Sequence, residues 1–463
     1  MDLLDRFREA IKIKTDWPTG AAGGDAAVVG EAEKSLVRFQ EFLVERYPNF
    51  HKVTERYVLS PYSVVYRWAG SQEGNLRGSA ARLGAQGGGK PALIMGHYDV
   101  VPAETEKWTT EPFGAELKDG YIYGRGTLDM KSILIAVMEG AETLIARGFQ
   151  PKEDIWFAFG GDEERAGVGG AQNAAAWFAE KNIRFSFVLD EGTPIGVDQI
   201  PGVKEPIALF GIEEKGFLSL NLTVRQNPGH ASQPPEVQAT AILARALIRL
   251  SKNPFPFHLT PTVESFFTHL APLASQGQGW AMKHARLLGR LFFKIAAKSP
   301  AIAAMLRTTV AMTQLEGSAA DNVLPSTVKA VLNLRLLPPC TVEEAMAVIR
   351  RTIADDRVNV GIYNLATEAV AANPEHARFG GPGWREMAAA LEEAEPGIPV
   401  LPFIMTATTD SRHFKALTEG IFRFNPIKLS PQDLRGIHGH DERISVENLN
   451  LAVRFYTALF SRL

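Results

Sequence analysis

Three short apolar runs end alike. Pro91-Ala92-Leu93-Ile94-Met95 leads into Gly96-His97-Tyr98-Asp99, Ile155-Trp156-Phe157-Ala158-Phe159 into Gly160-Gly161-Asp162-Glu163-Glu164, and Phe185-Ser186-Phe187-Val188-Leu189 into Asp190-Glu191-Gly192. Continuous apolar runs predict strands covered on both faces of an α/β sheet, and chemistry collects at the carboxyl ends of such strands. Apolar residues at helical spacing predict helices over residues 2–14, 32–46 and 131–147, the last closed by Gly148 and Pro151. The Gly/Ala-rich stretch 20–30 reads as a loop, 53–68 as strand, and 70–90 as an exposed hairpin or loop.

From residue 216 the pattern changes to alternation, Leu218-Ser219-Leu220-Asn221-Leu222-Thr223-Val224. A helix over 239–250 and strands over 326–336 and 358–363 follow. That order predicts an α+β unit, residues 216–366, inserted into a catalytic domain made of 1–215 and 367–463. A helix over 446–463, N-capped by Ser445, closes the catalytic domain. The insert contains a long helical stretch at about 254–312, and its part 280–312 carries Lys283, Arg286, Arg290, Lys294, Lys298 and Arg307 with no acid. Their spacing puts the first five on one side of a helix, with Leu287, Leu291, Phe292 and Ile295 turned away. Such a face is either a solvated side of a lid helix or a peripheral contact, through Lys283 to Lys298, with a membrane or anionic lipid.

Composition narrows the chemistry. At 463 residues the chain exceeds one ordinary core, and 45% hydrophobic with 22% charged residues fits a globular enzyme. A formal net charge of −3 gives no reason to expect nucleic acid as a partner. The lone cysteine, Cys340, excludes an internal disulfide and thiolate zinc sites. The amino-terminal residues carry charges throughout and lack an apolar signal-peptide core, so a cytoplasmic location is expected.

Three adjacent carboxylates at Asp162-Glu163-Glu164 repel one another unless a cation sits among them, and a divalent metal supplies that charge. His97 with Asp99, Asp129, the acids at 163 and 164, Asp190 and the late His438 offer ligands for two metals sharing one carboxylate, with one acid left as a base. Singly, each has an ordinary structural explanation: a hydrogen-bonded core histidine, an N-cap, a solvated turn. Together they would be a run of independent coincidences at strand ends.

These motifs, with Gly124-Arg125-Gly126-Thr127-Leu128-Asp129-Met130-Lys131, Pro228-Gly229-His230-Ala231-Ser232, Asp321-Asn322-Val323-Leu324-Pro325, Thr409-Asp410-Ser411-Arg412-His413-Phe414 and Ile437-His438-Gly439-His440-Asp441-Glu442-Arg443-Ile444-Ser445, span nearly the whole chain in order. The set resembles the dinuclear zinc peptidases that include acetylornithine deacetylase, succinyl-diaminopimelate desuccinylase, aminoacylase and carboxypeptidase S. Its last two motifs look closest to the carboxypeptidase S branch, which also holds enzymes that make and cleave N-fatty-acyl amino acids.

The resemblance implies an α/β zinc-peptidase domain with a central mixed sheet flanked by helices, plus an α+β lid or dimerisation domain. It implies two Zn2+, with Co2+ or Mn2+ as substitutes, and a homodimer. Asp129 would bridge the metals, His97 and Asp190 would complete one, and Glu164 and His438 the other. Glu163 would be the general base, Asp99 the partner that orients His97, and His230 the oxyanion donor, in many members from the other subunit. The Asp129–Met130 bond would be cis. Asn322 and Arg335 match substrate positions, and Arg412 is a second candidate to hold a substrate carboxylate.

This sequence departs from the pattern at Thr408, where glycine is usual, and His440 lies close enough to His438 to compete as a ligand. The expected activity is cleavage of the amide bond of an N-acyl amino acid or short peptide bearing a free carboxylate. A narrower alternative is a long-chain N-fatty-acyl amino acid hydrolase or synthase. A metal-binding scaffold without turnover would be expected to lack the base, and Glu163 is present.

Overall fold

The computed structural model describes residues 2–17, 26–71, 90–200, 202–252 and 254–463. The expected loop at 20–30 falls mostly outside these residues, as does most of the stretch 70–90.

The three apolar runs become neighbouring strands. Ala92–His97 lies between Ile155–Gly160 and Phe187–Gly196 and is parallel to both, with His97 opposite Gly160 and Ala92 opposite Phe187. Every residue of Ala92–His97 and Ile155–Gly160 is buried, as strands covered on both faces require. Ser63–Trp68 and Thr54–Ser60 extend the sheet on one side as an antiparallel hairpin, so 53–68 is two strands rather than one. On the other side come Ile421–Leu429, Ile207–Glu214 and Val400–Met405, making an eight-stranded mixed sheet from segments before residue 215 and after residue 399.

Helix Lys131–Ala146 covers one face of this sheet and packs along the last helix, Val446–Phe460. Gly140 makes the approach close: a Cβ there would meet the Thr457 amide nitrogen at 3.0 Å and Tyr456 Cβ at 3.2 Å. Ser445 caps the last helix, its hydroxyl accepting from the Asn448 amide. Ala171–Glu180 covers the opposite face, where Phe178 packs among Trp156, Phe185 and Phe414.

The second unit is an antiparallel sheet in the order Thr309–Glu316, Thr327–Leu336, Gly216–Arg225, Asn359–Thr367. Helices Ala239–Ser251 and Val342–Ile353 bury Ile242, Leu243, Ala345 and Ile349 against Leu218, Leu220, Leu332 and Leu334 of that sheet. The alternation at 218–224 is what leaves one face apolar for those helices.

The helical stretch between these units departs from expectation twice. Helix Pro261–Leu270 packs on the edge strand Val400–Met405 of the first sheet, sharing a core of Phe266, Phe267, Leu401 and Ile404, so the stretch belongs to the catalytic side rather than to the four-stranded unit. The basic segment is several short helices, Gln276–Lys283, Ala285–Leu288, Arg290–Ala296 and Pro300–Leu306, and not one. Gly289, at φ 49°, interrupts it and resets the helical phase. Only Phe292 of the four residues expected to turn inward is buried; Leu287, Leu291 and Ile295 are exposed beside the cations.

Candidate metal centre

His97 ends its strand with the ring turned to the carboxyl edge of the sheet, and the chain fixes its tautomer. Its Nδ1–H donates to the Asp99 backbone carbonyl at 3.0 Å, an oxygen that can only accept, which leaves the Nε2 lone pair free for a ligand. Asp99 Oδ1 also lies 3.3 Å from Nδ1. The Asp99 carboxylate accepts the amides of Glu163 and Glu164, each at 3.2 Å, and the Trp17 indole N–H at 3.2 Å. Asp99 therefore ties the His97 strand to the short 3-10 turn Glu163–Arg165 that carries two further acids.

Asp129 faces a different histidine with each oxygen. Oδ1 is 3.0 Å from His97 Nε2, and Oδ2 is 3.1 Å from His438 Nε2. His438 Nε2 also lies 3.0 Å from Glu164 Oε1. The Asp129–Met130 peptide bond is cis. Ligand atoms of His97, Glu163 and Glu191 lie within 4.8 Å of one another, and so do those of Asp129, Glu164 and His438. His440 is exposed and belongs to neither group.

Asp190, the expected ligand, is also in neither group. Its Oδ1 accepts the Glu191 amide at 2.9 Å and its Oδ2 the Ser411 amide at 2.8 Å. Glu191 Oε1 is the oxygen that reaches His97 Nε2, at 3.3 Å. The strand pairing is irregular here, with Asp190 opposite Arg423 and Thr193 opposite Phe424, so Glu191 and Gly192 bulge out of the ladder and the Glu191 side chain turns toward His97.

The electrostatics of this cluster call for cations. Burial, reinforced by Glu191, pushes the Glu163 carboxyl well above its ordinary value, and burial with Asp129 lifts Glu191 to about 8. Burial also raises Glu164. Asp129 goes the other way: hydrogen bonds from His438 and His97 outweigh its burial and hold it far below the usual carboxylate range. Hydrogen bonds to Asp129 and Glu164 raise His438 to about 10, and for His97 the carboxylates of Glu191, Asp129 and Asp99 overcome a burial that by itself lowers its pKa. Four carboxylates here share two imidazoles, so the cluster is short of positive charge even with both rings protonated. A donor set of two histidines and several carboxylates, one carboxylate lying between the histidines, fits a pair of divalent metals. The His438 side chain is 49% exposed, so the cluster opens to solvent on that side.

The loops are held by residues to which the sequence reading gave no role. Glu442, fully buried, accepts Arg125 Nη1 at 2.6 Å, the Gly126 amide at 3.0 Å and the Leu128 amide at 2.6 Å, just before Asp129. Arg125 Nη2 donates to the Gly439 carbonyl at 2.9 Å, next to His438. The only sign in the sequence was an acid shortly after the late histidine, and nothing local marks it as buried. Glu214 and Arg423 form a buried pair at 2.6 Å that meets Thr409, which helps hold the loop receiving Asp190.

The expected substrate residues stand apart from the cluster. Arg412 is buried, and its guanidinium donates to the Thr409 carbonyl at 2.6 Å and the Ala166 carbonyl at 2.8 Å, bracing two loops. Arg335 is half-buried on the second unit, 4.7 Å over the Phe217 ring, with Nε donating to Asn333 Oδ1 at 3.3 Å. His230 sits exposed on the two-stranded ribbon of Gly229–His230 and Val323–Leu324, and the Ala231 amide donates to the Asn322 carbonyl at 3.0 Å. Among the described residues, no hydrogen bond or ion pair joins His230, Asn322 or Arg335 to the cluster.

Residues 93–462 match peptidase family M20/M25/M40. The chain belongs to that family. It is a hydrolase of the kind that acts on amide bonds, and membership implies a divalent metal, typically zinc. Over 429 residues, 92% of this chain and 80% of the relative, it is 35% identical to the N-fatty-acyl-amino acid synthase/hydrolase PM20D1 of Xenopus tropicalis. Over 460 residues, 98% of this chain and 84% of the relative, it is 34% identical to a probable carboxypeptidase S-like protein of Dictyostelium discoideum. In fold it resembles the M20 family metallo-carboxypeptidase Sso-CP2 of Sulfolobus solfataricus, with a TM-score of 0.68 and 15% identity over 100% of this chain and 99% of that one. Human carnosine dipeptidase 1 is similar in fold at a TM-score of 0.65 and 14% identity, over 99% of this chain and 95% of that one. The suspected family and branch, and the mixed α/β fold, are therefore borne out.

Proposed function

We propose that this M20 enzyme uses two divalent metals, zinc by preference and Co2+ or Mn2+ as substitutes, to cleave the amide bond of N-acyl amino acids or short peptides with a free carboxylate. The observation that carries the reading is the placement of the Asp129 carboxylate between His97 and His438. His97 and Glu191 would hold one metal, His438 and Glu164 the other, with Asp129 shared. Glu191 replaces Asp190 in this assignment because its carboxylate is the one facing His97.

Metals bound there would supply Lewis acidity, lowering the pKa of a water and polarising the substrate carbonyl. The protein's part is proton handling and orientation. Glu163, left over once the ligands are assigned, lies beside His97 and Glu191 and is held through its amide by Asp99, so it is placed to take a proton from water and return it to the leaving nitrogen. Asp99 fixes the backbone under Glu163 while it orients His97. Because His230 is exposed on its ribbon, we assign its oxyanion role to the partner subunit of a homodimer. Arg335, whose fork is only partly used by Asn333, is the preferred holder of the substrate carboxylate.

A second reading narrows the substrate to long-chain N-acyl amino acids, with synthesis when fatty acid and amino acid are abundant. Its support is the likeness to the N-fatty-acyl-amino acid synthase/hydrolases. Metal-loaded protein incubated with N-acetyl and N-oleoyl derivatives of one amino acid and with dipeptides, with released amine read by mass, tests both. Release from none of them would overturn the general reading, and a strong preference for acetyl would end the narrower one.

A further inference from the structure

The helical stretch beside the catalytic sheet has a firmly seated underside and an outer face that nothing covers among the described residues. Ala285, Phe292 and Ala296 are buried in the core shared with Phe266, Leu401 and Ile404, and the Phe267 and Phe292 rings meet edge to face at 5.2 Å. The outer face is therefore a fixed platform. Four large apolar side chains stand on it in water: Trp280 is 56% exposed, Leu287 80%, Leu291 56% and Ile295 58%. Lys283, Arg286, Arg290, Lys294 and Lys298 are exposed among them. Among the described residues only Arg286 of these five pairs with a carboxylate, Glu264 at 3.1 Å, and the sequence holds no Asp or Glu between Glu264 and Glu316. The chain as a whole carries a formal charge of −3, so this positive field is local.

Interleaved cations and aliphatics with an exposed indole are what a helix lying in a lipid interface presents, the apolar residues entering the headgroup boundary and the cations meeting anionic headgroups. Two other occupants fit less well. A second copy docked about a two-fold axis would bring the same cations against themselves. A nucleic acid would satisfy the cations and leave Leu287, Leu291 and Ile295 facing phosphates. We propose that residues 280–298 form a peripheral docking face for anionic membranes. The proposal is independent of the catalytic reading.

The full chain, metal-loaded, is sedimented with vesicles of phosphatidylcholine alone and of phosphatidylcholine mixed with phosphatidylglycerol, over a series of salt concentrations. Binding is expected to the anionic vesicles only and to weaken as salt rises. The pair Lys294→Glu and Lys298→Glu should lower partitioning by at least ~10-fold. The pair Leu287→Ser and Ile295→Ser should lower it at low salt too, because that pair removes the inserted residues. Unchanged thermal midpoints and unchanged hydrolysis of a soluble substrate would show that both double variants are folded. Equal binding to both vesicles, no binding to either, or binding unaffected by the variants would overturn the proposal. So would a change in oligomer mass by light scattering in either variant, which would give the face to a second copy.

Discussion

The Glu163 amide donates to Asp99 Oδ1 at 3.2 Å, and the same oxygen lies 3.3 Å from His97 Nδ1, so the proposed base hangs from a carboxylate that also faces the His97 ring. Replacing Asp99 by Asn keeps the size but puts donors where only acceptors are wanted, opposite the Trp17 N–H and two backbone amides. Asp99→Asn is expected to weaken metal binding by roughly 10–100-fold, the range known for groups that orient ligating histidines. Competition against a chelator measures it, and unchanged affinity would remove the Asp99 carboxylate from that role and leave the backbone carbonyl to orient His97.

Glu163→Gln is isosteric and cannot carry a proton. It should lower kcat by about 10²–10⁴-fold while metal content stays at the wild-type level. Steady-state rates and elemental analysis on the same preparation check this together; a loss of metal in parallel would recast Glu163 as a ligand.

Glu191 and Asp190 can be separated. Glu191→Ala should lose about one of two bound metals, as removal of a ligand demands. Asp190→Asn should keep both metals and lose stability instead, because one oxygen that accepts a backbone amide becomes a donor. The opposite pattern of metal contents would restore Asp190 as the ligand.

His376 supplies a pH prediction away from the cluster. It is fully buried, and burial lowers its pKa from 6.5 to about 4, against a partly offsetting bond to the Pro382 carbonyl. With the folded value below the unfolded one, the unfolded chain binds the extra proton. The stability this ring contributes is complete above about pH 6.5 and is lost as pH falls toward 4, up to about 3 kcal/mol. His376→Gln, which keeps a donor for Pro382, should show a shallower fall in urea-unfolding free energy over that window than the wild type. An identical pH dependence would contradict it.

The sequence showed the fold and most of the cluster because both are written in local pattern. Apolar runs set the strands, and the glycine and polar residues after them mark the carboxyl edge where His97, Glu163 and Glu164 gather. What stayed hidden depends on contacts that no local pattern records. Asp190 and Glu191 are adjacent and both acidic, and only the bulge at Glu191 and Gly192 shows that it is the Glu191 carboxylate that reaches His97. Arg412 looks like an anion holder until the Thr409 and Ala166 carbonyls are seen to occupy it. Glu442 becomes visible only when the Gly126, Leu128 and Arg125 donors converge on it from the other end of the chain. In the basic segment the cation spacing fits one helix, but breaks at His284, Gly289 and Ser299 divide the chain into four short ones, and no periodicity marks those breaks.

The central claim is that Asp129 lies between two metals, and anomalous diffraction from crystals of the zinc-loaded protein, collected at the zinc edge, tests it most directly. Two peaks about 3.5–4 Å apart are expected, one beside Asp129 Oδ1 with His97 and Glu191 and one beside Oδ2 with His438 and Glu164. A single peak, or peaks that do not share the Asp129 carboxylate, would contradict the account.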